Sequence, residues 1–338
     1  METQGRMTTY KNEMTEKTDK IAYGRIALIM SLVVILAYTL QYIVSYVAFE
    51  SIGISDVTVG MIIISFICMY MISLPIGAFL LRSTHEKSKP YERFGINQMV
   101  CFFFMSEGVA YIGNAVGTLL ASSLSGGRAE NAVVALATGN GHTILKLVCL
   151  VLIAPLIEEY VFRKLIIDGI IEYDEKSAML FSALVFGLYH ISLYQLFYTT
   201  ALGLLWAYIY IRTRKVRYTY VLHAALNFKS AILLGTIFPK DQIEILLDVE
   251  TTEDIIKLIE QQPGIANGII AVLMFSILSI IFALIGVVLL VINRKKWIFS
   301  KSSYTINGRQ INRNMFLNMG MATYIIVCIS MMGIQLLM

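Results

Sequence analysis

The chain has 338 residues, of which 57% are hydrophobic and only 15% are charged, and its mean hydropathy is +0.71. This composition excludes an ordinary soluble domain and is typical of an integral membrane protein. The net charge of +4 is small and its basic residues lie between apolar segments, so we predict no nucleic-acid partner.

The apolar segments predict an all-α, polytopic bundle of about nine transmembrane helices. A membrane-spanning helix needs about 20 mostly apolar residues, because its backbone polar groups must be satisfied within the helix. A polar tail, residues 1–23, precedes a single membrane domain, residues 24–338. The predicted spans are 24–48, 57–81, 96–120, 143–166, 178–196, 197–213, 219–238, 267–292 and 316–338.

The charges in the loops alternate along the chain and predict its orientation. Basic residues crowd the tail, the loop after the second span and the segment after the sixth, whereas "FESIGISD" after the first span has none. Cytoplasmic loops collect Lys and Arg. We therefore expect the N-terminus in the cytoplasm and the C-terminus outside. We find no internal repeat and no helix broken by Gly or Pro, features that a transporter or channel would predict.

Three of the apolar spans contain a concentration of polar residues. These are "IEEYVFR" in the fourth span, "FGLYH" in the fifth and "HAALN" in the seventh, and Glu107 in the third span is an isolated addition. An ionisable group costs several kcal/mol in hydrocarbon unless it faces protein or a wet cavity, so such groups are candidates for function. For Glu107 alone, a role in helix packing or a proton path is the better interpretation.

Helical spacing separates the two adjacent glutamates. Glu159 and Arg163 lie four residues apart, on one helix face, where they can form an ion pair. Glu158 points about 100° away from Glu159 around the helix and need not share the arginine. The sequence therefore predicts a structural role for Glu159 and a free carboxylate at Glu158.

The same spacing places the remaining polar groups in pairs. His223 and Asn227 are four residues apart, as are Phe186 and His190, so each pair points to one side of its helix. We expect Glu158, His190, His223 and Asn227 to converge on one cavity, with His190 well inside its span.

This set of groups is suited to hydrolysis. Desolvation disfavours the charged form of a carboxylate and makes it a stronger base, and an adjacent histidine can orient a water molecule. A second histidine and an asparagine amide can donate to the oxyanion of a tetrahedral intermediate. The three segments contain no serine or cysteine, which argues against a covalent nucleophile.

Taken together, the three motifs resemble those of the CAAX-protease and bacteriocin-processing (Abi) family of intramembrane proteases, over residues 140–240. The motif residues are E-E-x-x-x-R at Glu158, Glu159 and Arg163, F-x-x-x-H at Phe186 and His190, and H-x-x-x-N at His223 and Asn227. The resemblance implies that Glu158 and His190 activate water, and that His223 and Asn227 stabilise the oxyanion. It implies supporting roles for Glu159, Arg163 and Phe186, and a bacterial cell membrane as the location.

The resemblance leaves the metal and the function open to alternatives. The family is also described as metal-dependent, and Glu158, His190 and His223 could hold zinc. The sequence has no H-E-x-x-H and asparagine is a poor zinc ligand, so we favour a site without a cofactor. The expected partners are the lipid bilayer and a peptide or lipidated protein tail. A transporter, or a membrane protein that binds without cleaving, such as an immunity factor, is the alternative.

Overall fold

The computed structural model describes residues 2–53, 57–82, 92–128, 142–233, 251–261, 263–299 and 313–337, and this part of the chain is helical without strands. Its α-helices are α1 Glu2–Tyr46, α2 Val57–Phe66, α3 Leu74–Leu81, α4 Ile96–Ser125, α5 Thr143–Lys146, α6 Ala154–Glu159, α7 Asp168–Ile170, α8 Glu175–Tyr189, α9 Leu193–Thr213, α10 Val216–Asn227, α11 Thr252–Gln261, α12 Pro263–Asn293 and α13 Met319–Leu337. Its π-helical segments are π1 Val47–Ser51, π2 Ile67–Ser73, π3 Leu147–Ile153, π4 Tyr160–Ile167 and π5 Phe228–Leu233.

The predicted all-α membrane architecture is confirmed. Five helical segments of the described chain are long and apolar enough to cross a membrane, and they correspond to the first, second, third, eighth and ninth predicted spans. They are Lys20–Ser51, Val59–Leu81, Ile96–Ser125, Ile265–Asn293 and Met319–Leu337. Predicted spans four to seven form shorter or interrupted helices, so the count of nine remains a prediction. The predicted polar tail continues the helix of the first span from Glu2 onward.

The helices of the second and fourth predicted spans are continuous but change their hydrogen-bond pattern along their length. Segment π2 separates α2 from α3, and π3 separates α5 from α6. A proline follows each of these segments directly, Pro75 within the first turn of α3 and Pro155 within the first turn of α6. Proline has no N–H to donate to the preceding turn. The α-helical hydrogen-bond pattern is therefore interrupted next to each proline.

The boundary between the fifth and sixth predicted spans is also misplaced. The sequence places the turn near residues 196 and 197, but α8 ends at Tyr189 and α9 begins at Leu193. Ile191, between them, has a φ of +48°, which a β-branched residue rarely adopts. Its side chain is fully buried, so packing holds this conformation. His190 consequently lies at the end of its helix and not deep inside a span.

Helix α4 organises the packing by contacting both α9 and α12, while α8 packs on α9 and α1 packs on α13. The contact between α4 and α9 depends on glycine. A Cβ atom at Gly113 would lie 2.5 Å from the Cα atom of Tyr198, and one at Gly117 would lie 2.6 Å from the carbonyl oxygen of Tyr194. Membrane helices associate through such close approaches, because lipid provides little hydrophobic force between them.

Candidate active site

Glu158 lies near the end of α6 and its side chain faces other helices. The residue is only 4% exposed. Its Oε1 accepts a 2.5 Å hydrogen bond from the hydroxyl of Tyr70, in π2, and its Oε2 lies 3.7 Å from Nε2 of His223, in α10. Glu158 is thus held between the second, fourth and seventh predicted spans, with one oxygen bonded and the other near an imidazole.

Glu159 forms the ion pair with Arg163 that its spacing predicts. The Arg163 Nε donates to Glu159 Oε2 over 3.1 Å, and both side chains are fully buried. The guanidinium also donates through Nη1 to the Ser182 hydroxyl, 3.2 Å away, which in turn donates to the Phe162 carbonyl. The Phe186 ring covers the guanidinium at 4.6 Å. These contacts join π4 to α8 through one buried cation.

His223 bridges the two glutamates, which the sequence analysis did not anticipate. Its Nδ1 lies 3.0 Å from Glu159 Oε1, and its Nε2 faces Glu158. Glu159 therefore serves both Arg163 and His223, because each carboxylate oxygen can accept a separate bond. A proton on Nδ1 donates to Glu159 and fixes the ring so that Nε2 points at Glu158.

The His223 ring is supported by Trp206 of α9. The two rings have centroids 4.6 Å apart and are tilted by 33°. Trp206 is itself almost fully buried, and its indole N–H donates to the Ser106 hydroxyl of α4 over 3.1 Å. His223 is thereby held by a carboxylate at one nitrogen and by an aromatic face.

His190 faces the same group of residues from the end of α8. Its Nδ1 lies 2.8 Å from the Phe186 carbonyl oxygen. Because a carbonyl only accepts hydrogen bonds, Nδ1 carries a proton there, and in the neutral ring Nε2 is an acceptor. The edge of its ring packs on Phe186 at 4.8 Å, and the His223 ring lies 6.0 Å from the same Phe186 ring. The structure therefore brings both histidines to Phe186, with His223 facing Glu158.

Asn227 has a partner that its predicted oxyanion role did not include. Its Nδ2 donates to the Leu150 carbonyl in π3 over 2.8 Å, which ties the end of α10 to the fourth predicted span. An amide nitrogen carries two hydrogens, so this bond uses one of the two donors.

The residues that the sequence analysis missed lie on neighbouring helices. Tyr70, Ser182 and Trp206 contact Glu158, Arg163 and His223 respectively. Tyr70 lies in "ICMYMIS" and Trp206 in "LGLLWAYIY", two apolar stretches in which an aromatic residue more commonly packs against lipid. Nothing in the spacing within either stretch marks the residue as part of a site.

Glu107 is paired with Lys229, two residues beyond Asn227. The Lys229 ammonium donates to Glu107 Oε2, Glu107 is 4% exposed, and the ammonium also lies 5.7 Å from the centre of the Phe275 ring. This ion pair links α4 to π5. It gives the buried Glu107 a charged partner, as expected for a residue that serves helix packing.

The zinc alternative would use Glu158, His190 and His223 as ligands. Among the described residues, no group of three or more His, Cys, Asp or Glu side chains is placed to hold a metal ion. Nδ1 of His190 and Nδ1 of His223 are engaged by Phe186 and Glu159, and Oε1 of Glu158 is engaged by Tyr70. A metal ion would have to bind the other atoms, Nε2 of each histidine and Oε2 of Glu158. The site without a cofactor stays a prediction, and we derive no step through a metal.

Comparison with known proteins places this site in a family segment. Residues 140–229 match the family model described as "Type II CAAX prenyl endopeptidase Rce1-like". The predicted resemblance is therefore confirmed: these residues form an Rce1-like segment within an α-helical membrane protein. All seven motif residues, from Glu158 to Asn227, lie within this segment.

A relative in Bacillus subtilis (strain 168) carries the name "Putative membrane peptidase YdiL". It is 32% identical over 77 residues, which is 22% of this chain and 32% of that protein. The chain thus matches about a third of the length of this relative. No solved structure matches the chain significantly.

Proposed function

We propose that the protein is an intramembrane endopeptidase that hydrolyses a peptide bond in a membrane-associated peptide or a lipidated protein tail. The observation that carries the proposal is the buried Glu158, which has one oxygen bonded to Tyr70 and the other facing His223. Burying a carboxylate within a membrane protein costs free energy, and an apolar residue could pack there without that cost. The Rce1-like match of residues 140–229 supports the same activity.

In the proposed mechanism, Glu158 acts as a general base on a water molecule. The water donates to Glu158 Oε2 and to Nε2 of the neutral His190, which orients it towards the substrate carbonyl carbon. Glu158 takes a proton as the water oxygen bonds to that carbon, and the carbonyl oxygen becomes an oxyanion. Glu158 then passes the proton to the leaving amine as the C–N bond breaks.

The oxyanion would be stabilised by His223 and Asn227. His223 would donate through Nε2 when its ring is protonated, with Nδ1 directed at Glu159. Asn227 has one amide hydrogen beyond the bond to Leu150. Donors fixed before the reaction lower the barrier most, because they do not reorganise as charge develops.

The candidate substrates share attachment to a membrane. They are a bacteriocin or pheromone precursor, a leader peptide and a prenylated C-a-a-X tail. The matched family model names a prenyl endopeptidase, so a farnesylated C-a-a-X peptide is the first probe to test.

The test uses the full chain in liposomes with a peptide pool. The pool contains farnesylated C-a-a-X peptides and unlipidated amphipathic peptides, and mass spectrometry identifies new termini. We expect the wild-type protein to cleave peptides in the pool and Glu158→Gln, at equal amounts of folded protein, to cleave none. If the wild type leaves the pool intact, or if both proteins produce the same fragments, a binding or transport role replaces the protease.

A chelator in the same assay tests the metal alternative. If Glu158 and His190 activate water without a metal, cleavage should be unchanged after chelation, and purified protein should carry no stoichiometric zinc. A loss of cleavage that added zinc restores, together with copurified zinc, would contradict the metal-free mechanism.

A further inference from the structure

Tyr70 lies outside the segment that matches the family model. That segment is residues 140–229, whereas Tyr70 belongs to π2 in the second predicted span, 88 residues before Glu158. Even so, its hydroxyl donates a hydrogen bond to the proposed catalytic base. A span that the family resemblance does not cover therefore reaches directly into the site.

The bond between Tyr70 and Glu158 is short, and in the proposed mechanism its acceptor is an ionised carboxylate. A phenol that donates to an ionised carboxylate gives oxygen separations near 2.5–2.7 Å, and the observed separation is 2.5 Å. Such bonds are about twice as strong as neutral ones. With Oε1 held in this way, rotation of the carboxylate about its terminal bond is restricted, and Oε2 is kept at the His223 side.

The local backbone explains how Tyr70 comes to this position. It lies in a π-helical segment that ends just before Pro75. A π-helical turn has more residues than an α-helical turn, so the side chains within it point in different directions from those of a regular α-helix. Such turns are frequent at functional sites. The Phe66 ring packs beside the Tyr70 ring at 5.7 Å, which supports the phenol.

Building on the proposed function, we propose that Tyr70 is a positioning residue that fixes Glu158 Oε1 and so selects Oε2 as the oxygen that takes the proton from water. Tyr70 makes no bond to the reacting atoms in this scheme. It acts through Glu158, and it couples the second predicted span to the Rce1-like segment. The proposal predicts a loss in the chemical step and not in substrate binding.

The test compares Tyr70→Phe with Tyr324→Phe. Tyr324 is fully buried and its hydroxyl donates to the Val185 carbonyl over 2.9 Å, so its substitution also removes one buried tyrosine bond, but away from Glu158. Both variants are assayed on the peptide of the pool that the wild type cleaves fastest. Thermal melting in detergent measures the folded fraction of each.

We expect Tyr70→Phe to lower kcat about 10- to 100-fold with KM nearly unchanged, since small misplacements of a reacting group cost up to about 10²-fold. Tyr324→Phe should keep kcat and lower only the melting temperature. If Tyr70→Phe retains wild-type kcat, or loses rate only in proportion to its folded fraction, the positioning role is wrong while the protease stands. If the wild type cleaves no peptide, the proposed function fails and the positioning role with it.

Discussion

Two neighbouring glutamates have different surroundings although both are buried. Glu159 is fixed from two sides, by the Arg163 guanidinium and by Nδ1 of His223. Glu158 accepts one bond from Tyr70 and its second oxygen faces His223 at 3.7 Å, beyond hydrogen-bond distance. The first arrangement is typical of a structural ion pair, and the second leaves an oxygen for water.

The ion pair makes a specific prediction about stability. Arg163→Met leaves Glu159 without its cation in a fully buried position, which should cost about 3–5 kcal/mol. Adding Glu159→Gln removes the unpaired charge and should recover part of that loss. Thermal melting of the purified variants in detergent measures both effects. The two residues are energetically independent if the losses in melting temperature of Arg163→Met and Glu159→Gln simply add in the double variant. That result would contradict a structural ion pair.

Spacing along one helix could predict the pairing of Glu159 with Arg163, because residues four apart share a helix face. It could not predict Tyr70, whose contact with Glu158 joins positions 88 residues apart. Nor could it predict that His223 bridges both glutamates, since that depends on how α10 is oriented against α6. Local periodicity thus identifies the groups on each helix, whereas tertiary packing determines which groups meet.

At the scale of helices, prolines and glycines shape the site. Pro75 and Pro155 each follow a π-helical segment, and these segments carry Tyr70 and the Leu150 carbonyl that binds Asn227. Hydropathy predicted two regular helical spans here, because it reports only the length of an apolar segment. It does not respond to a change from α-helical to π-helical backbone hydrogen bonds. The prolines themselves were the sequence signal for these interruptions.

The packing of α4 on α9 can be tested with one methyl group. At Gly113 a Cβ atom would press on the Tyr198 backbone, whereas at Gly333, in α13, nothing lies within 4 Å of that atom. We expect Gly113→Ala to destabilise the protein by about 1–3 kcal/mol, as overpacking does. Gly333→Ala should be neutral or stabilising by up to about 1 kcal/mol, because Ala has the higher helix propensity. Equal melting temperatures for the two variants would contradict close packing at Gly113.

At the scale of the whole molecule, the Rce1-like segment lies within a larger set of helices that contribute to it. Tyr70 comes from the second predicted span, and Ser106 and Glu107, from the third, bond to Trp206 and Lys229. Composition and hydropathy were sufficient to predict an all-α membrane protein. For spans four to seven they predict helices that in the structure are shorter or interrupted by π-helical segments, so the count of nine stays a prediction. The cytoplasmic position of the N-terminus stays a prediction from loop charge.

The central claim is that Glu158 acts in chemistry while Glu159 holds the structure, and a paired comparison of Glu158→Gln and Glu159→Gln tests it most directly. Glutamine keeps the volume of glutamate but is not a base. We expect Glu158→Gln to melt close to the wild type and to cleave at least about 10²-fold more slowly. Glu159→Gln should melt clearly lower, because it leaves the buried Arg163 unpaired. If Glu158→Gln melts early while Glu159→Gln stays folded and merely inactive, the two roles are the reverse of those assigned.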